Sequence, residues 1–345
     1  MNDTINQCER QVKLSCRSVW KVFGPHADRF FASNQTPTVD QLREHSLVAA
    51  NIDASFDVYK GETFVLMGLS GSGKSTLLRC LAQLDTQTSG EILLDGVEIS
   101  SLSEAQLLDV RRKQMSMVFQ HFALLPFRTV LENVSFPLEV QSVDKQQVKD
   151  RALDALNLVG LSGYEDRLPR ELSGGQQQRV GIARSLVSNP EVWFLDEPFS
   201  ALDPMIRLDL QNEVIDLQNR LHKTTVFVTH DLDEAIRLAD RIAIMQDGRI
   251  VQIGTPEELI FNPATDYVKR FTSAVPKIKV AHIASIMGQS VNDLDPQLPV
   301  VEQRSLVADN AELILQSDAD LGVVNENQEL VGSVSKADVI RLMLQ

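Results

Sequence analysis

Residues 62–81, ETFVLMGLSGSGKSTLLRCL, decide the fold. A Lys60–Gly61 turn precedes a short apolar run that reads as a buried strand, and the run ends in a glycine-rich loop. From Lys74 onward the leucines fall at helical spacing. Within this strand–loop–helix, Gly68–Ser75 (GLSGSGKS) fits G-x-x-x-x-G-K-[ST]. Glycines let backbone N–H groups approach phosphate oxygens closely, and a helix N-terminus adds positive potential. Lys74 can reach β- and γ-phosphates, and the Ser75 hydroxyl can ligate Mg²⁺. A chance match on a flexible loop is the competing account, and the flanking strand and helix argue against it.

Downstream, EVWFLDEP (191–198) buries four apolar residues, Val192 to Leu195, and delivers two carboxylates at its end. Asp196 can hold Mg²⁺ through water, and Glu197 can accept a proton from an attacking water. Alone, such a pair also fits a helix-capping acid or a solvated turn; after a phosphate loop it reads as the second half of a nucleotide site. TTVFVTH (224–230) is another apolar run flanked by helical patterns and ends in His230. The two runs suit central parallel strands. LSGGQ (172–176) opens an amphipathic helix, with Ser173 placed as N-cap and Gly174–Gly175 exposing backbone N–H groups, a second anion cradle. One nucleotide does not need two cradles about a hundred residues apart; the economical reading is that the second serves ATP bound to another copy, and an ordinary capped helix with a flexible entry is the competing account.

The remaining pattern implies an α/β protein with a parallel core and an antiparallel β portion. Residues 11–23 read as an edge strand, residues 25–46 as a polar insertion, GEILLDG as a hairpin, and SEAQLLDVRRK as a helix capped by Ser103. KQQVKDRALDALNLVGL and QQQRVGIARSLVSNP are amphipathic helices, and RIAIMQDGRIVQIGTP holds two β-like runs about Asp247–Gly248. A composition shift at Ala274–Lys279 precedes a strand–turn–strand–helix pattern in LGVVNENQELVGSVSKADVIRLMLQ, too small to bury much by itself.

The 345 residues are 43% hydrophobic, enough for one large core and a small one. A net charge of −14 argues against binding long nucleic acid by bulk electrostatics. Cys8, Cys16 and Cys80 lack C-x-x-C spacing, which disfavours a disulfide framework or zinc site and suits a reducing compartment. MNDTINQCERQVK has no apolar signal region, and no stretch approaches the roughly 18 apolar residues of a membrane span.

These motifs, in this order, resemble the ATP-binding subunits of ABC transporters, from residue 11 to about 272. The resemblance implies a P-loop NTPase core with antiparallel β and helical subdomains, occupying residues 1–275. It implies ATP and Mg²⁺ as cofactors. Phe23 stands where the family stacks an aromatic on adenine, with Trp20 as rival and a core role open to both. Gly68, Ser70, Gly71, Gly73, Lys74, Ser75 and Thr76 match the phosphate loop, and Gln120 the Mg²⁺-sensing glutamine. Ser173, Gly174, Gly175 and Gln176 match the signature loop, and Asp196 and Glu197 the metal-holding and general-base carboxylates. Ser200–Asp203 matches the loop that crosses to the other subunit, with Asp203 near its ATP, and His230 matches the switch histidine. The implied partners are a second copy, with ATP sandwiched between, and a transmembrane permease. A solute-binding protein takes part indirectly. The implied place is peripheral, on the cytoplasmic face of the plasma (inner) membrane.

With no membrane span and no second phosphate loop, an importer subunit is favoured over an exporter or a soluble mechanoenzyme. The insertion, MGLSGSGKST, VFQHFALLPFRTVLENV, SALDPMIR and THDLDEAIRLADRIAIMQDGRIVQIGTP resemble the branch importing glycine betaine, proline betaine and choline; polar amino-acid importers and soluble ABC ATPases are the alternatives. Residues 276–345 form a small α+β segment in which GSVSKAD (332–338) resembles the second half of a CBS motif. Ser333 replaces the expected apolar residue, and 280–300 match the partner half poorly. Nucleotide or ionic-strength sensing and a dimerisation add-on both fit that segment.

Overall fold

The computed structural model describes residues 11–34, 36–288 and 299–344. The chain forms two compact units, Met1–Ile250 and Val251–Gln345. The first opens with β1 (Val12–Phe23), α1 (Ala27–Ser33), α2 (Val39–Glu44), β2 (Val48–Tyr59), β3 (Thr63–Met67), α3 (Lys74–Leu81), β4 (Ser89–Leu94) and β5 (Val97–Glu98). It continues through α4 (Glu104–Lys113), β6 (Met115–Val118), α5 (Val130–Val140), α6 (Lys145–Leu158), α7 (Gly174–Leu186) and β7 (Val192–Asp196). α8 (Pro204–Leu221), β8 (Thr224–Thr229), α9 (Leu232–Leu238) and β9 (Arg241–Gln246) follow, and β10 (Arg249–Gly254) runs across the division between the units.

Strands β9, β3, β8, β7 and β6 lie side by side, all parallel. Every residue of β3, β7 and β8 is buried. That accounts for their unbroken apolar runs, since helices cover both faces of such a sheet. The antiparallel sheet has the order β2-β1-β4-β5. β1 is therefore interior and not an edge: β4, arriving some seventy residues later, pairs with it from Leu14 to Trp20. Alternation in a sequence reports one buried face and does not report a distant partner. Helices α5, α6 and α7 pack on one another as a helical layer.

Residues 25–46 are structured. α1 and α2, the latter opened by a Thr38–Gln41 capping box, bury Phe31, Leu42 and Leu47 against Trp20, Val22 and Ile52. These helices left no sign in the sequence because few apolar residues, spread over two short segments, give no clear period. Trp20 belongs to this small core, edge-to-face with Phe31 at a centroid distance of 5.4 Å, whereas Phe23 is 49% exposed. Trp20→Ala is expected to cost about 3–5 kcal/mol in denaturant unfolding, and Phe23→Ala within about 0.5 kcal/mol. The reverse ranking would contradict this assignment.

Lys13, buried on β1, pairs with Asp95 at 2.6 Å and with Glu191 just before β7, which pins the antiparallel sheet to the parallel one. Burial opposes the Lys13 charge, but its two carboxylate partners outweigh burial and raise its pKa. Cys16 and Cys80 are free and buried; burial pushes both thiols up, Cys80 to about 11, so they pack as small apolar groups. Among the described residues no helix is long and apolar enough to cross a membrane.

The second unit holds α10 (Pro256–Phe261), α11 (Asp266–Thr272), α12 (Ile283–Ile286), β11 (Val301–Glu302), α13 (Val307–Gln316), β12 (Leu321–Val324), β13 (Leu330–Val334) and α14 (Lys336–Met343). It thus begins before the composition shift at 274–279. β11 runs parallel to β12, and β12 antiparallel to β13. The strand–turn–strand–helix pattern is present but does not stand alone. Ala281, Ile283, Val301, Val307 and Ile314 join Leu321, Val323, Val334 and Val339 in one core. Residues 289–298, part of the stretch weighed as the other half of a CBS motif, lie outside the described residues.

His282 Nδ1 lies 2.7 Å from Glu257 Oε2, and its backbone N–H donates to Glu257 Oε1 at 3.2 Å. The bond to Glu257 raises the imidazole pKa above its ordinary 6.5. Burial works against the Glu257 carboxylate, but the His282 bonds outweigh it and hold Glu257 below its ordinary 4.5. The pair therefore stabilises this unit from above 4.5 up to the raised imidazole value and fades as pH climbs through that value. Amide exchange over 281–287, corrected for intrinsic rates, is expected to be slower at about pH 6 than at about pH 8, and His282→Gln should abolish the difference.

Candidate functional site

The site lies at the carboxyl edge of the parallel sheet, where open α/β sheets bind ligands. Met67 pairs with Thr229 and Asp196 with Val228, so Gly68, Glu197 and His230 leave the sheet together.

The phosphate loop leaves β3 at Gly68, runs through exposed Leu69–Gly71, and enters α3 at Lys74. Gly73 (φ +94°) is the left-handed residue before the helix, and a Cβ there would collide with Ala50 O and sit 2.7 Å from Asn51 Nδ2. The loop is therefore braced from outside. Asn51 Nδ2 donates to Gly73 O at 3.0 Å, and Gly248 N to Ser72 O at 3.2 Å. Asn51 escaped the sequence reading, which took Gly248 only as part of a turn between two strands. The available signal for Asn51 was one amide inside a strand, VAANIDASFDVY.

Lys74 is buried and donates from Nζ to Gly68 O at 2.9 Å and Leu69 O at 3.1 Å, curling beneath the loop. Burial lowers its pKa, opposed by Glu197 and Asp196. Ser75 Oγ donates to Asp196 Oδ1 at 2.7 Å. Burial raises the Asp196 carboxyl, and the Ser75 bond opposes that rise. A hydroxyl and a carboxylate meeting in this way are hard oxygen donors suited to Mg²⁺, so the donor set fits that ion. Thr76 follows, half-buried, in the first turn of α3.

Glu197 has φ +43°, a left-handed backbone in a non-glycine residue. Its Oε2 lies 3.1 Å from His230 Nδ1, which brings the base candidate and the switch candidate into contact. Ser200 Oγ donates to Glu197 O at 3.0 Å.

Ser173 caps α7 by accepting from Gln176 N at 3.3 Å, while Gln176 Oε1 accepts from Ser173 N at 3.0 Å. Such a reciprocal cap is worth about 1 kcal/mol. Gly175 is buried, and a Cβ there would sit 2.6 Å from Ile206 Cγ2 on α8. Asp203 caps α8, accepting from Ile206 N at 3.1 Å. Gln120 is exposed two residues beyond β6, whose Val118 pairs with Leu195, so it leaves the sheet at the same edge as Asp196. Phe23 lies at the exposed end of β1, with Lys21 Nζ 5.1 Å from its ring centroid. The structure brings Lys74, Ser75, Asp196, Glu197 and His230 together through hydrogen bonds or sheet register. It shows no bond from Phe23, Gln120, Ser173 or Asp203 to that group among the described residues.

A phosphate loop, a carboxylate pair and a histidine against one of those carboxylates, at the edge of a parallel sheet, define an ATPase of the P-loop class. Residues 52–200 match the ABC transporter family. The trimethylamine N-oxide transport system ATP-binding protein of Pelagibacter ubique is 48% identical, covering 95% of this chain and 96% of that one. The glycine betaine/proline betaine transport system ATP-binding protein of Escherichia coli is 44% identical over 94% of this chain and 81% of its own. Among solved structures, a dimeric ATP-binding cassette in a post-hydrolysis state with ADP and Pi superposes with a TM-score of 0.60 at 31% identity, covering 70% of this chain and 98% of that one. The chain belongs to the ABC transporter family, among its ATP-binding proteins, and its cofactors are ATP and Mg²⁺.

Proposed function

We propose that this chain is the ATP-hydrolysing subunit of an importer of quaternary and related methylated amines, with glycine betaine, proline betaine, choline and trimethylamine N-oxide as the solute class. One observation carries the chemistry: Glu197, held against His230 at 3.1 Å, leaves the sheet beside the Ser75–Asp196 pair. The solute class is supported by relatives that match over 92–96% of this chain and are named for trimethylamine N-oxide and glycine betaine transport. Those names widen the expectation from betaines and choline to the amine oxide.

In this reading Gly68, Ser70, Gly71, Gly73 and Thr76 cradle the phosphates, and Lys74 turns from its loop carbonyls to the β- and γ-phosphates. Mg²⁺ would be held by Ser75 and Asp196, with Gln120 closing on it, and supplies charge neutralisation at the phosphates. Glu197 accepts the proton of the attacking water, and His230 orients Glu197 and contacts the γ-phosphate. Phe23 stacks on adenine. Ser173, Gly174, Gly175, Gln176 and Asp203 act on the ATP of a second copy, since the signature cap forms a cradle of its own. Loss of the γ-phosphate unlinks the two copies, and the movement passes to a permease at the cytoplasmic face of the membrane. A solute-binding protein acts upstream of the permease. Residues 1–275 form the ATPase part and residues 276–345 a regulatory or dimerising part. There Asp338 is engaged with Ser335 N at 3.0 Å and Ser335 Oγ at 2.6 Å, which favours a helix-capping role for it over ligand binding.

In cells lacking the chain, uptake of labelled glycine betaine, choline and trimethylamine N-oxide is the test. At least one should be restored by the native chain and none by Glu197→Gln. Restoration of polar amino-acid uptake instead would overturn the solute class.

A further inference from the structure

Glu197 and His230 also line a cavity about the size of one water molecule. Its other walls are Phe199, Ser200, Arg207, Thr229, Asp231 and Glu234. Among these described residues Arg207 supplies the permanent positive charge. It sits on α8, one turn beyond the Asp203 cap, and its backbone N–H donates to Asp203 O at 2.9 Å. Its Nη2 donates to Leu202 O at 3.2 Å, and its Nη1 lies 3.8 Å from Asp231 Oδ2. Its Nε is buried with no hydrogen-bond partner among the described residues.

Asp231 directly follows His230 and caps α9, accepting from Glu234 N at 3.2 Å through Oδ1. At the other end of the segment, Ser200 N and Oγ both donate to Glu197 O, at 3.2 and 3.0 Å. The Ser200–Asp203 loop is thus held to the Glu197 backbone where it begins and to the residue after His230 where it ends. The second link runs through one guanidinium. A planar fork can contact a loop carbonyl and a carboxylate at once, whereas an ammonium is a point charge. Glu234 is buried and accepts from Gln211 Nε2 at 3.0 Å; burial pushes its carboxyl pKa up, opposed first by the Thr229 and Gln211 bonds and to a smaller degree by the Arg207 charge. Removing the guanidinium would leave three carboxylates, those of Glu197, Asp231 and Glu234, lining the same cavity.

We propose that Arg207 is a positioning residue that ties the Ser200–Asp203 loop to the His230 turn, so that seating of that loop against a second copy is relayed to the contact His230 already makes with Glu197. The inference rests on the reading that ATP is hydrolysed between two copies. Among the described residues Arg207 makes its hydrogen bonds and ion pair to Leu202, Asp203 and Asp231 and none to Gly68–Thr76 or Ser173–Gln176, so its loss is expected to lower turnover far more than ATP affinity.

The test uses the full-length chain and steady-state ATPase with thermal melting. Arg207→Gln is expected to lower kcat about tenfold while KM for ATP stays within about twofold. Arg207→Lys should recover less than half of the loss. Asp231→Asn keeps the Oδ1 cap and removes the charge facing Arg207; it should lower kcat in the same way. The double variant should be no worse than the poorer single one, since both cut one link. A kcat within about twofold of native in Arg207→Gln, or losses that multiply in the double variant, would overturn the proposal. If Arg207→Gln does not fold, Arg207→Lys and Asp231→Asn decide: lowered kcat at unchanged KM supports the link, and native kcat in both overturns it. An unmodified chain without ATPase activity would instead overturn the hydrolysis reading, so the two failures are distinct.

Discussion

Glu197→Gln is expected to bind ATP, to pair with a second copy in its presence, and to lose at least about a hundredfold in turnover, the range set by removing a general base. The amide keeps the size and one acceptor of the carboxylate, so the 3.1 Å contact with His230 can persist while the proton acceptor is gone. Nothing in the phosphate loop changes: Lys74 still reaches the Gly68 and Leu69 carbonyls, and Ser75 still meets Asp196. Binding and hydrolysis therefore separate in this variant. Single-turnover hydrolysis and light scattering with and without ATP make the measurement. Near-native turnover would remove Glu197 from the chemistry, and a chain that stays monomeric with ATP would remove the second copy.

Gly73→Ala should have the opposite profile and lose nucleotide binding itself. The residue holds φ +94°, and the added methyl would run into Ala50 O and lie 2.7 Å from the Asn51 amide that braces the loop. Those neighbours are backbone and a fully buried side chain, so neither has a soft end to move. The left-handed dihedral costs about 1–2 kcal/mol and the overlap about 1–3 kcal/mol, so a drop of about 2–5 kcal/mol is expected in denaturant unfolding. ATP affinity should fall with it, because the peptide groups that face phosphate must shift. Gly71→Ala is the control: φ is also positive, at +81°, but nothing lies within 4 Å of the added carbon. It should cost only the dihedral term, about 1–2 kcal/mol. Equal losses in the two variants would mean that the brace from Asn51 is unimportant.

Much of the site was legible because its chemistry demands local sequence. A phosphate cradle needs glycines, a lysine and a hydroxyl within one turn of a helix start, so Gly68–Thr76 reads directly from the chain. The same holds for the carboxylates that end a buried strand and for the Ser173 cap, which needs only a neighbour three residues away. The parallel strands were legible because burial on both faces leaves unbroken apolar runs.

What the tertiary structure decided are the relations between distant segments. No pattern in residues 11–23 announces that β4 will cover β1, or that Trp20 will be walled in by Phe31 while Phe23 stays exposed. Asn51 holding Gly73, and Arg207 reaching Asp231, join residues far apart in the chain through single polar contacts. Local composition determines what a segment can form, since dihedral preference and burial periodicity act over a few residues. Which segment braces which depends on packing in three dimensions, where one hydrogen bond leaves no periodic trace in the sequence.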